Sequence, residues 1–331
     1  MAREIIVNGR FLSRRVTGVE RYGRSILQYM GNHARIESAQ LKGIAGHAWE
    51  QTVLPTKLNP NSILWSPANT GPLHVQNQAL TIHDLSPLEH PKWFTKNFAQ
   101  WYEYMLPKLI KQVKIVFTPS EYVKRKVTEH FNINNVIVTP NGILTSMFSP
   151  RASQLIPNLP QKYILFVGSI QPRKNLTGLI RAWNQIEREF SDTWLLIVGA
   201  KGEVFQSEKL PQGQRIRFLN YVSDDHLPGL YANAAAFVLP SFDEGFGLPA
   251  LEAMACGTPV LVSNGGALPE TVGEAGLIFD LVKPESLITG LQQILCDDDL
   301  RRSLKTKGVE RAQTFLWSKT AELIRKTLNE I

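Results

Sequence analysis

The sequence of 331 residues has only two cysteines and no apolar run approaching the roughly 18–20 residues of a membrane-spanning helix. Cys256 and Cys296 stand far apart without metal-ligand spacing, so we interpret both as packing residues. The amino-terminal stretch, residues 1–11, lacks the apolar core of a signal peptide. Together these absences favour a cytoplasmic protein without disulfides.

Several function-bearing motifs are also absent. Neither the first strand, 4–9, nor the strand at 163–168 leads into Gly-x-Gly-x-x-Gly, which argues against a Rossmann dehydrogenase. The sequence has no helix-turn-helix, zinc-finger or RNA-binding signature, so no nucleic acid partner is expected. No Asp-x-Asp motif ends a strand, and the run Asp297–Asp299 between two helical patterns is predicted to be a solvated turn. We therefore expect neither a metal nor a cofactor.

The net positive charge lies in the amino-terminal half of the chain. Residues 1–158 contain 18 lysines and arginines against 9 acidic residues, whereas residues 159–331 contain 18 against 20. This asymmetry predicts an anionic partner for the amino-terminal half, and we favour a lipid phosphate or membrane surface.

Strands alternate with helices on both sides of a proline-containing linker, 149–161, which predicts an α/β protein with a parallel sheet in each half. The predicted strands are 4–9, 62–66, 79–84, 115–119, 135–140, 163–168, 193–199, 215–222, 234–240 and 259–263. The predicted helices are 19–30, 175–190, 223–234, 248–255 and 318–331, with an aromatic helical region at 91–114. The loop 13–18 leads into the first helix.

The most informative stretch, SFDEGFGLPALEAMACGTPVLVSNGGALPE, covers residues 241–270. Glu244 lies in the loop that leaves one predicted strand, and Glu252 lies in the helix that follows. Ligands of open α/β sheets bind at the carboxyl ends of the strands, where a helix start favours phosphate. Carboxylates accept hydrogen bonds from sugar hydroxyls. Phosphate and polyol recognition together indicate a nucleotide sugar.

This stretch resembles the donor-site signature of the retaining glycosyltransferases of family 4. The resemblance implies the GT-B fold: two Rossmann-like domains with parallel sheets facing across a cleft, and a carboxyl-terminal helix crossing back to the amino-terminal domain. It implies an acceptor-binding domain at 1–150, a nucleotide-sugar-binding domain at 160–312 and a terminal helix at 313–331 that packs on the first domain.

The resemblance assigns donor-site roles in the second half. Glu244 contacts hydroxyls of the transferred sugar, and Glu252 contacts the ribose. A second element, Gly168-Ser169-Ile-Gln-Pro-Arg173-Lys174-Asn175, resembles the family's phosphate clamp, in which Arg173 and Lys174 neutralise the diphosphate. The backbone of three further residues is expected to face the sugar and phosphates: Phe246, Gly247 and Leu248.

In the amino-terminal half, His83 and Asp84 end a predicted strand. The local pattern alone favours a capped structural histidine, but by resemblance His83 touches the reacting sugar and Asp84 orients the sugar or the acceptor. Gly18 begins a helix and is expected near the donor. Arg21 and Tyr22 either hold the acceptor or form a plain helix face.

The resemblance implies a metal-independent, retaining hexosyltransferase, similar to the mannosyl- and rhamnosyltransferases of polysaccharide and O-antigen (lipopolysaccharide) assembly. The expected partners are a nucleotide-sugar donor, with GDP-mannose favoured over dTDP-rhamnose and UDP-sugars, and a glycan or lipid-linked acceptor. A catalytically silent sugar-nucleotide binder and a glycoside hydrolase with paired carboxylates are the alternatives. The aromatic and lysine-rich region 91–114 is interpreted equally as a core helix or as a peripheral contact with the anionic inner membrane face.

Overall fold

The computed structural model of the protein describes residues 3–14, 16–151, 156–200, 204–205 and 209–331. Residue 15 of the predicted loop 13–18, residues 152–155 of the predicted linker and the first two residues of the stretch tested for a signal peptide lie outside the described residues. The chain divides into two compact units. The first comprises Met1–Glu89, Lys96–Gly142 and Leu316–Ile331, and the second comprises His90–Thr95 and Ile143–Phe315.

The first unit contains a sheet of six parallel strands. They are β1 (Glu4–Asn8), β2 (Ala34–Glu37), β3 (Ser62–Ser66), β4 (Gln78–Thr81), β5 (Ile115–Thr118) and β6 (Val136–Val138), in the order β2-β1-β3-β4-β5-β6. The helices between them are α1 (Gly18–Met30), α2 (Gly43–Thr52), α3 (Ser86–Glu89), α4 (Lys96–Gln112) and α5 (Glu121–Phe131). The inner strands β3, β4 and β5 are buried along their whole length, as strands covered on both faces must be.

The second unit contains another sheet of six parallel strands. They are β7 (Lys162–Val167), β8 (Thr193–Val198), β9 (Ile216–Asn220), β10 (Ala236–Leu239), β11 (Val260–Ser263) and β12 (Leu277–Phe279), in the order β12-β11-β10-β7-β8-β9. Its helices are α6 (Leu176–Ile186), α7 (Leu227–Ala232), α8 (Leu248–Ala255), α9 (Leu268–Val272), α10 (Pro284–Cys296) and α11 (Asp298–Ala312). The topology therefore places the ends of β7 and β10 side by side at one edge.

The last helix, α12 (Trp317–Glu330), belongs to the first unit. The Trp317 ring is 2% exposed and lies 5.7 Å from the ring of Tyr22 on α1. Thr320 donates a hydrogen bond of 2.7 Å to the carbonyl of Pro140. Position 142 must be glycine, because a Cβ there would lie 2.2 Å from the Trp317 nitrogen. Side-chain burial and a close backbone approach thus hold α12 against α1 and against the segment 140–142, which follows β6.

The aromatic region 91–114 begins with a short 3-10 turn, Pro91–Trp93, and continues as α4. The core-facing side of α4 includes Tyr102, Met105 and Leu109, and Phe98 and Trp101 pack against the same cluster. Three of the six aromatic residues in this region therefore serve the core of the first unit, whereas Trp93 and Phe94 belong to the second unit and Tyr104 is exposed. Within the described part of the chain, no helix combines the length and the apolar character needed to cross a membrane.

The run Asp297–Asp299 starts a helix instead of forming the predicted solvated turn. The Asp297 carboxylate accepts a hydrogen bond of 2.8 Å from the Leu300 amide and caps α11. Asp298 and Asp299 pair with arginines three positions further along the helix. The correction has a simple cause, since acidic residues in a first helical turn are favoured by the helix dipole.

Candidate functional site

The centre of the candidate site is the Glu244 carboxylate, in the loop between β10 and α8. Its residue is 5% exposed, and one oxygen lies 3.1 Å from the Arg173 guanidinium. The other oxygen pairs with the Lys174 ammonium and accepts a 2.6 Å hydrogen bond from the Ser241 hydroxyl. The two basic residues predicted as a phosphate clamp and the glutamate predicted as a sugar ligand therefore form one ion cluster.

Electrostatics keep Glu244 ionised. Burial alone would raise the pKa of this carboxyl, but the charges of Arg173 and Lys174 and the hydrogen bonds from Lys174 and Ser241 outweigh it and lower the pKa to about 2. Two basic side chains therefore surround the Glu244 carboxylate. Such a group of charges suits an anionic ligand that also presents hydroxyls.

The cations stand on a 3-10 turn, Pro172–Lys174, that follows β7. The turn ends at Asn175, which adopts the left-handed conformation with φ of 51°. Arg173 also donates a 2.9 Å hydrogen bond to the carbonyl of Asp243, and its own carbonyl accepts from the Phe242 amide at 2.8 Å. The two loops that end β7 and β10 are thus joined through both side chains and backbone.

A third loop, between β11 and α9, fixes the backbone of Glu244. Gly266 has a φ of 65°, and a Cβ there would lie 2.3 Å from the Glu244 carbonyl oxygen. The Ala267 amide donates to that same oxygen at 2.8 Å. Gly266 and Ala267 lie within the predicted signature, but the sequence pattern alone predicts no role for them. No role was predicted for Ser241 either, because the spacing of a hydroxyl and a glutamate in a loop does not show that the two side chains meet.

Glu252 lies on α8, in the second turn after the helix start. It is 4% exposed, and the Tyr231 hydroxyl donates to it at 3.1 Å. Gly247 caps this helix with a φ of 93°, and a Cβ there would lie 2.5 Å from the Leu268 side chain. Glycine is therefore required at 247 by both conformation and space.

The flanking predicted donor contacts are largely enclosed. Phe246 and Leu248 are each 6% exposed, and the Phe246 carbonyl already accepts a hydrogen bond from the Thr271 hydroxyl. Burial raises the pKa of the nearby Cys256 thiol to about 12, with a further contribution from Glu252, so this thiol stays protonated. Cys256 is buried, as its interpretation as a packing residue requires, whereas the same interpretation of Cys296 is wrong because Cys296 is exposed at the end of α10.

Gly168 and Ser169 follow β7 directly. The Gly168 amide donates to the Val198 carbonyl at 2.9 Å, and the Gln171 side chain donates to the Ser169 hydroxyl at 2.7 Å. Gly199 has a φ of 151°, and a Cβ there would lie 1.8 Å from the Gly168 carbonyl oxygen. The backbones after β7 and β8 therefore approach each other as closely as glycine allows.

His83 follows β4 in the first unit and is 7% exposed. Its Nε2 lies 2.8 Å from the Pro67 carbonyl, and because a carbonyl can only accept, Nε2 carries the proton of the neutral ring. Burial lowers the pKa of His83, although the bond to Pro67 and the charge of Asp84 partly oppose this effect. His83 is therefore neutral at pH 7. Asp84 accepts from the Ser86 amide at 3.0 Å and so supports the start of α3.

The predicted residues of α1 have different environments. Gly18 is exposed at the first helical position, and a Cβ there would meet nothing within 4 Å. Arg21 is half-buried. Tyr22 is a core residue rather than an exposed acceptor contact: it is fully buried, its hydroxyl lies 2.9 Å from that of Thr139, and its ring packs edge-on against His83 at 4.9 Å. Its contribution is to support His83 and α12.

A second buried polar cluster, which sequence reasoning missed, lies where β1 and β3 end. Arg10 pairs with Glu50 at 3.1 Å and donates to the Thr70 hydroxyl at 2.8 Å. Asn8 donates to Glu50 at 2.7 Å and to Ser66 at 3.3 Å. Burial opposes ionisation of Glu50, but its partners lower the pKa of this carboxyl overall. The network fixes the loop that leads toward α1.

Comparison with protein families identifies residues 151–311 as matching the family described as "Glycosyl transferases group 1". The chain is 35% identical over 261 residues to O-antigen chain mannosyltransferase B of Escherichia coli, covering 74% of this chain and 68% of the relative. It is 29% identical over 263 residues to the serotype-specific mannosyltransferase WbdA of Escherichia coli, covering 73% of this chain. It spans 32% of that longer relative.

Solved structures share the fold. Sucrose-phosphate synthase from Thermosynechococcus elongatus has a TM-score of 0.76 at 19% identity, covering 100% of this chain and 99% of that one. Anabaena HepE, solved with UDP and glucose, has a TM-score of 0.75 at 16% identity and full coverage of both chains. WaaG, a glycosyltransferase of lipopolysaccharide biosynthesis, has a TM-score of 0.72 at 16% identity, covering 98% and 99%. The predicted GT-B fold is therefore confirmed.

The ion cluster predicts how stability depends on pH. The pKa of Glu244 is about 2 in the folded protein against an ordinary value of 4.5, so its ionised form stabilises the fold above pH 4.5, and this contribution is lost as the pH falls toward 2. Glu244→Gln removes the anion between two cations and should lower the free energy of unfolding by about 3–5 kcal/mol at pH 7. Denaturant unfolding at pH 7, 4 and 3 measures both effects.

The difference in unfolding free energy between wild type and Glu244→Gln should shrink below pH 4.5. The matched control is Glu310→Gln, an exposed glutamate of α11 in the same unit. A difference that stays constant from pH 7 to pH 3, or a Glu244→Gln variant as stable as Glu310→Gln, would contradict the role of this cluster.

Proposed function

The chain belongs to the group 1 glycosyltransferases, and we propose that it transfers a hexose, with mannose favoured, from a nucleoside-diphosphate sugar to a hydroxyl of a glycan or lipid-linked acceptor. The observation that carries the proposal is the buried cluster of Glu244, Arg173 and Lys174 at the carboxyl ends of β7 and β10. The choice of mannose is supported by the O-antigen mannosyltransferases among the relatives.

The cluster suits departure of a nucleoside diphosphate. Negative charge grows on the leaving diphosphate as the bond to the sugar breaks, and fixed cations in a partly desolvated site stabilise that charge. Arg173 and Lys174 supply two positive charges, of which Glu244 balances one. Their shared loop contacts hold both cations before the donor arrives, so little reorganisation is needed during the reaction.

The two glutamates are proposed to read different parts of the donor. Glu244 remains ionised at neutral pH and can accept hydrogen bonds from hydroxyls of the transferred sugar. Glu252 lies eight residues further on, beside the Tyr231 hydroxyl, and is assigned to the ribose hydroxyls. The backbone around Phe246, Gly247 and Leu248 is assigned to the sugar and phosphates, with Gly168 and Ser169 at the diphosphate.

The proposed reaction is metal-independent and retaining. Arg173, Lys174 and the start of α8 provide the positive charge that a metal ion would otherwise supply. The acceptor hydroxyl displaces the nucleoside diphosphate from the anomeric carbon with overall retention of configuration, as the family resemblance implies, and the hydroxyl proton is released with the diphosphate. In the first unit, His83 is proposed to contact the reacting sugar as a neutral ring, with Asp84 orienting the sugar or acceptor. Gly18 is proposed near the donor and Arg21 near the acceptor.

GDP-mannose is the favoured donor, followed by dTDP-rhamnose and UDP-sugars. The alternatives are a rhamnosyl- or glucosyltransferase with a soluble acceptor, or a sugar-nucleotide binder without activity. An active enzyme is supported over a silent binder because all four donor-site side chains are present and held by ion pairs or hydrogen bonds: Arg173, Lys174, Glu244 and Glu252.

A thermal-shift panel of GDP, UDP, ADP and dTDP tests the proposal directly. At equal concentrations of the four diphosphates, we expect GDP to stabilise the protein most. When its concentration is one hundred times its dissociation constant, GDP should raise the free energy of unfolding by about 2.7 kcal/mol. Glu252→Gln should weaken nucleoside diphosphate binding, whereas Glu244→Gln should impair sugar transfer more than diphosphate binding. Stabilisation by none of the four diphosphates would contradict the function, and a larger response to UDP or dTDP would overturn the choice of donor.

Transfer assays test the cationic clamp. Arg173→Ala or Lys174→Ala should each lower turnover by about two orders of magnitude, or about 2.7 kcal/mol, because the leaving diphosphate loses a fixed cation. The matched control is Arg181→Ala, an exposed arginine on α6. Activity of the wild type should persist in excess EDTA. Loss of activity in EDTA that magnesium or manganese restores would contradict metal independence. Turnover near the wild-type value in both Arg173→Ala and Lys174→Ala would contradict the proposed role of these cations.

We further propose that the outer side of α4, together with Lys114 two residues beyond its end, contacts an anionic membrane surface. The side chains on this side include Lys108, Lys111 and Lys114, all exposed, while the opposite side is buried. Lys108 also lies 3.4 Å from the centre of the exposed Tyr104 ring. Each lysine near anionic lipid adds about 1 kcal/mol of attraction. Such contact at the inner membrane face would bring the enzyme to a lipid-linked acceptor.

Liposome co-sedimentation at low salt tests this contact. Vesicles with anionic lipid should retain the wild type, and the triple change Lys108→Gln, Lys111→Gln and Lys114→Gln should abolish retention because the basic side loses its charge. The control is the pair Lys305→Gln and Lys307→Gln, exposed on α11. Equal retention on neutral and anionic vesicles, or no effect of the triple change, would refute the contact.

A further inference from the structure

Phe242 is an exposed aromatic ring in a loop that is otherwise buried. It is 47% exposed, whereas its neighbours Ser241 and Asp243 are 0% and 4% exposed. Its amide donates to the Arg173 carbonyl, and a Cβ on Gly265 would lie 2.5 Å from its carbonyl oxygen. The backbone therefore holds Phe242 firmly while its ring remains available. Two residues further on lies Glu244, the centre of the ion cluster.

Two more rings extend this surface. Trp93 lies nearly parallel to Phe242, with 6.4 Å between ring centroids and an interplanar angle of 20°. His90 stacks on Trp93 with 4.0 Å between centroids and an angle of 27°. His90 is exposed and Trp93 half-buried. We call these three residues the aromatic staircase.

The segment that carries Trp93 and His90 is anchored in the second unit. Thr95 donates to the Val204 carbonyl at 2.9 Å, and the Phe94 ring lies 5.3 Å from the Phe205 ring. Phe94 is 5% exposed and so acts as the anchor, whereas Trp93 next to it points to a partly open position. These contacts position the segment that carries Trp93 and His90 within the second unit.

We propose that the aromatic staircase is a subsite for a pyranose ring of the acceptor glycan. This proposal rests on the proposed function, which places the donor sugar at Glu244, so that the neighbouring position belongs to the acceptor. A pyranose presents a face of C–H groups, and aromatic rings provide an apolar surface with a negative π-face that complements it. Hydroxyls at the ring edge remain free for nearby polar groups.

The chemistry favours a sugar over a purely apolar partner. An apolar partner would also cover the polar edge of the exposed His90 ring, which would then lose water without compensation. A sugar offers both an apolar face for Phe242 and Trp93 and hydroxyls for a polar neighbourhood. The aromatic staircase should therefore make the enzyme prefer acceptors that end in a sugar ring over simple alcohols.

The test uses protein labelled with 5-fluorotryptophan, in which the Trp93 fluorine resonance is assigned from Trp93→Phe. Soluble α-mannotriose and chitotriose are titrated with and without saturating GDP. We expect at least one oligosaccharide to shift the Trp93 resonance. Phe242→Ala should weaken that binding about tenfold, or about 1.4 kcal/mol, while Phe242→Tyr retains it. Affinity for GDP, measured by calorimetry, should change less than twofold in both variants.

The control is Tyr29→Ala, which removes an exposed ring from α1 and should leave oligosaccharide affinity unchanged. No shift of the Trp93 resonance by either oligosaccharide, or equal binding by wild type and Phe242→Ala, overturns the subsite. A Trp93 shift caused by GDP alone, with loss of GDP affinity in Phe242→Ala, shows that the rings stack on the nucleotide base and also overturns it. Failure of the proposed function has a separate signature, because the wild type then binds no nucleoside diphosphate in calorimetry.

Discussion

The buried negative charge of Glu244 constrains the whole edge of the second sheet. A carboxylate with 5% exposure would be protonated or excluded from such a position unless cations and donors surrounded it. Arg173, Lys174 and Ser241 meet this requirement, and each must then be held at a fixed distance. The 3-10 turn after β7 and the close approach of Gly266 to the Glu244 backbone are both consequences of that demand.

The first unit solves the same electrostatic problem differently. His83 is as buried as Glu244 but is kept neutral, because burial lowers its pKa and a carbonyl fixes its proton on Nε2. Charge is concentrated instead in the Arg10–Glu50 pair, which is enclosed by hydroxyl and amide partners. One unit thus presents a charged, cation-rich edge, and the other presents a neutral ring supported by Tyr22.

Much of this arrangement was predictable from the sequence. Strand periodicity and the rule that ligands bind at the carboxyl ends of parallel strands indicated that Arg173 and Glu244 share one edge. Their direct pairing was not predictable, since 71 residues separate them and the pattern gives no side-chain direction. The role of Gly266 was hidden for a similar reason, because a positive φ and a 2.3 Å approach exist only in the folded chain.

The omitted elements also have physical causes. The strands β2 and β12 lie at the sheet edges, are three or four residues long and are only partly buried, so they lack the apolar run by which the inner strands were recognised. Tyr22 was predicted either to hold the acceptor or to lie on a plain helix face, but it is buried on the side of α1 that meets Trp317, which stands 295 positions further along the chain. By contrast, α5 carried a usable signal in its Ser120 cap and its apolar spacing, and was simply overlooked.

Because of the segment 90–95 and helix α12, neither unit is built from one continuous stretch of the chain. The chain leaves the first unit after Glu89, returns at Lys96, leaves again after Gly142 and returns at Leu316. A contiguous fragment ending at residue 142 lacks the Trp317 that covers Tyr22, and one spanning 143–315 lacks the Phe94 that covers Phe205. A cut between residues 142 and 143 therefore separates side chains that pack together within each unit, so each unit depends on a segment that is distant from it along the chain.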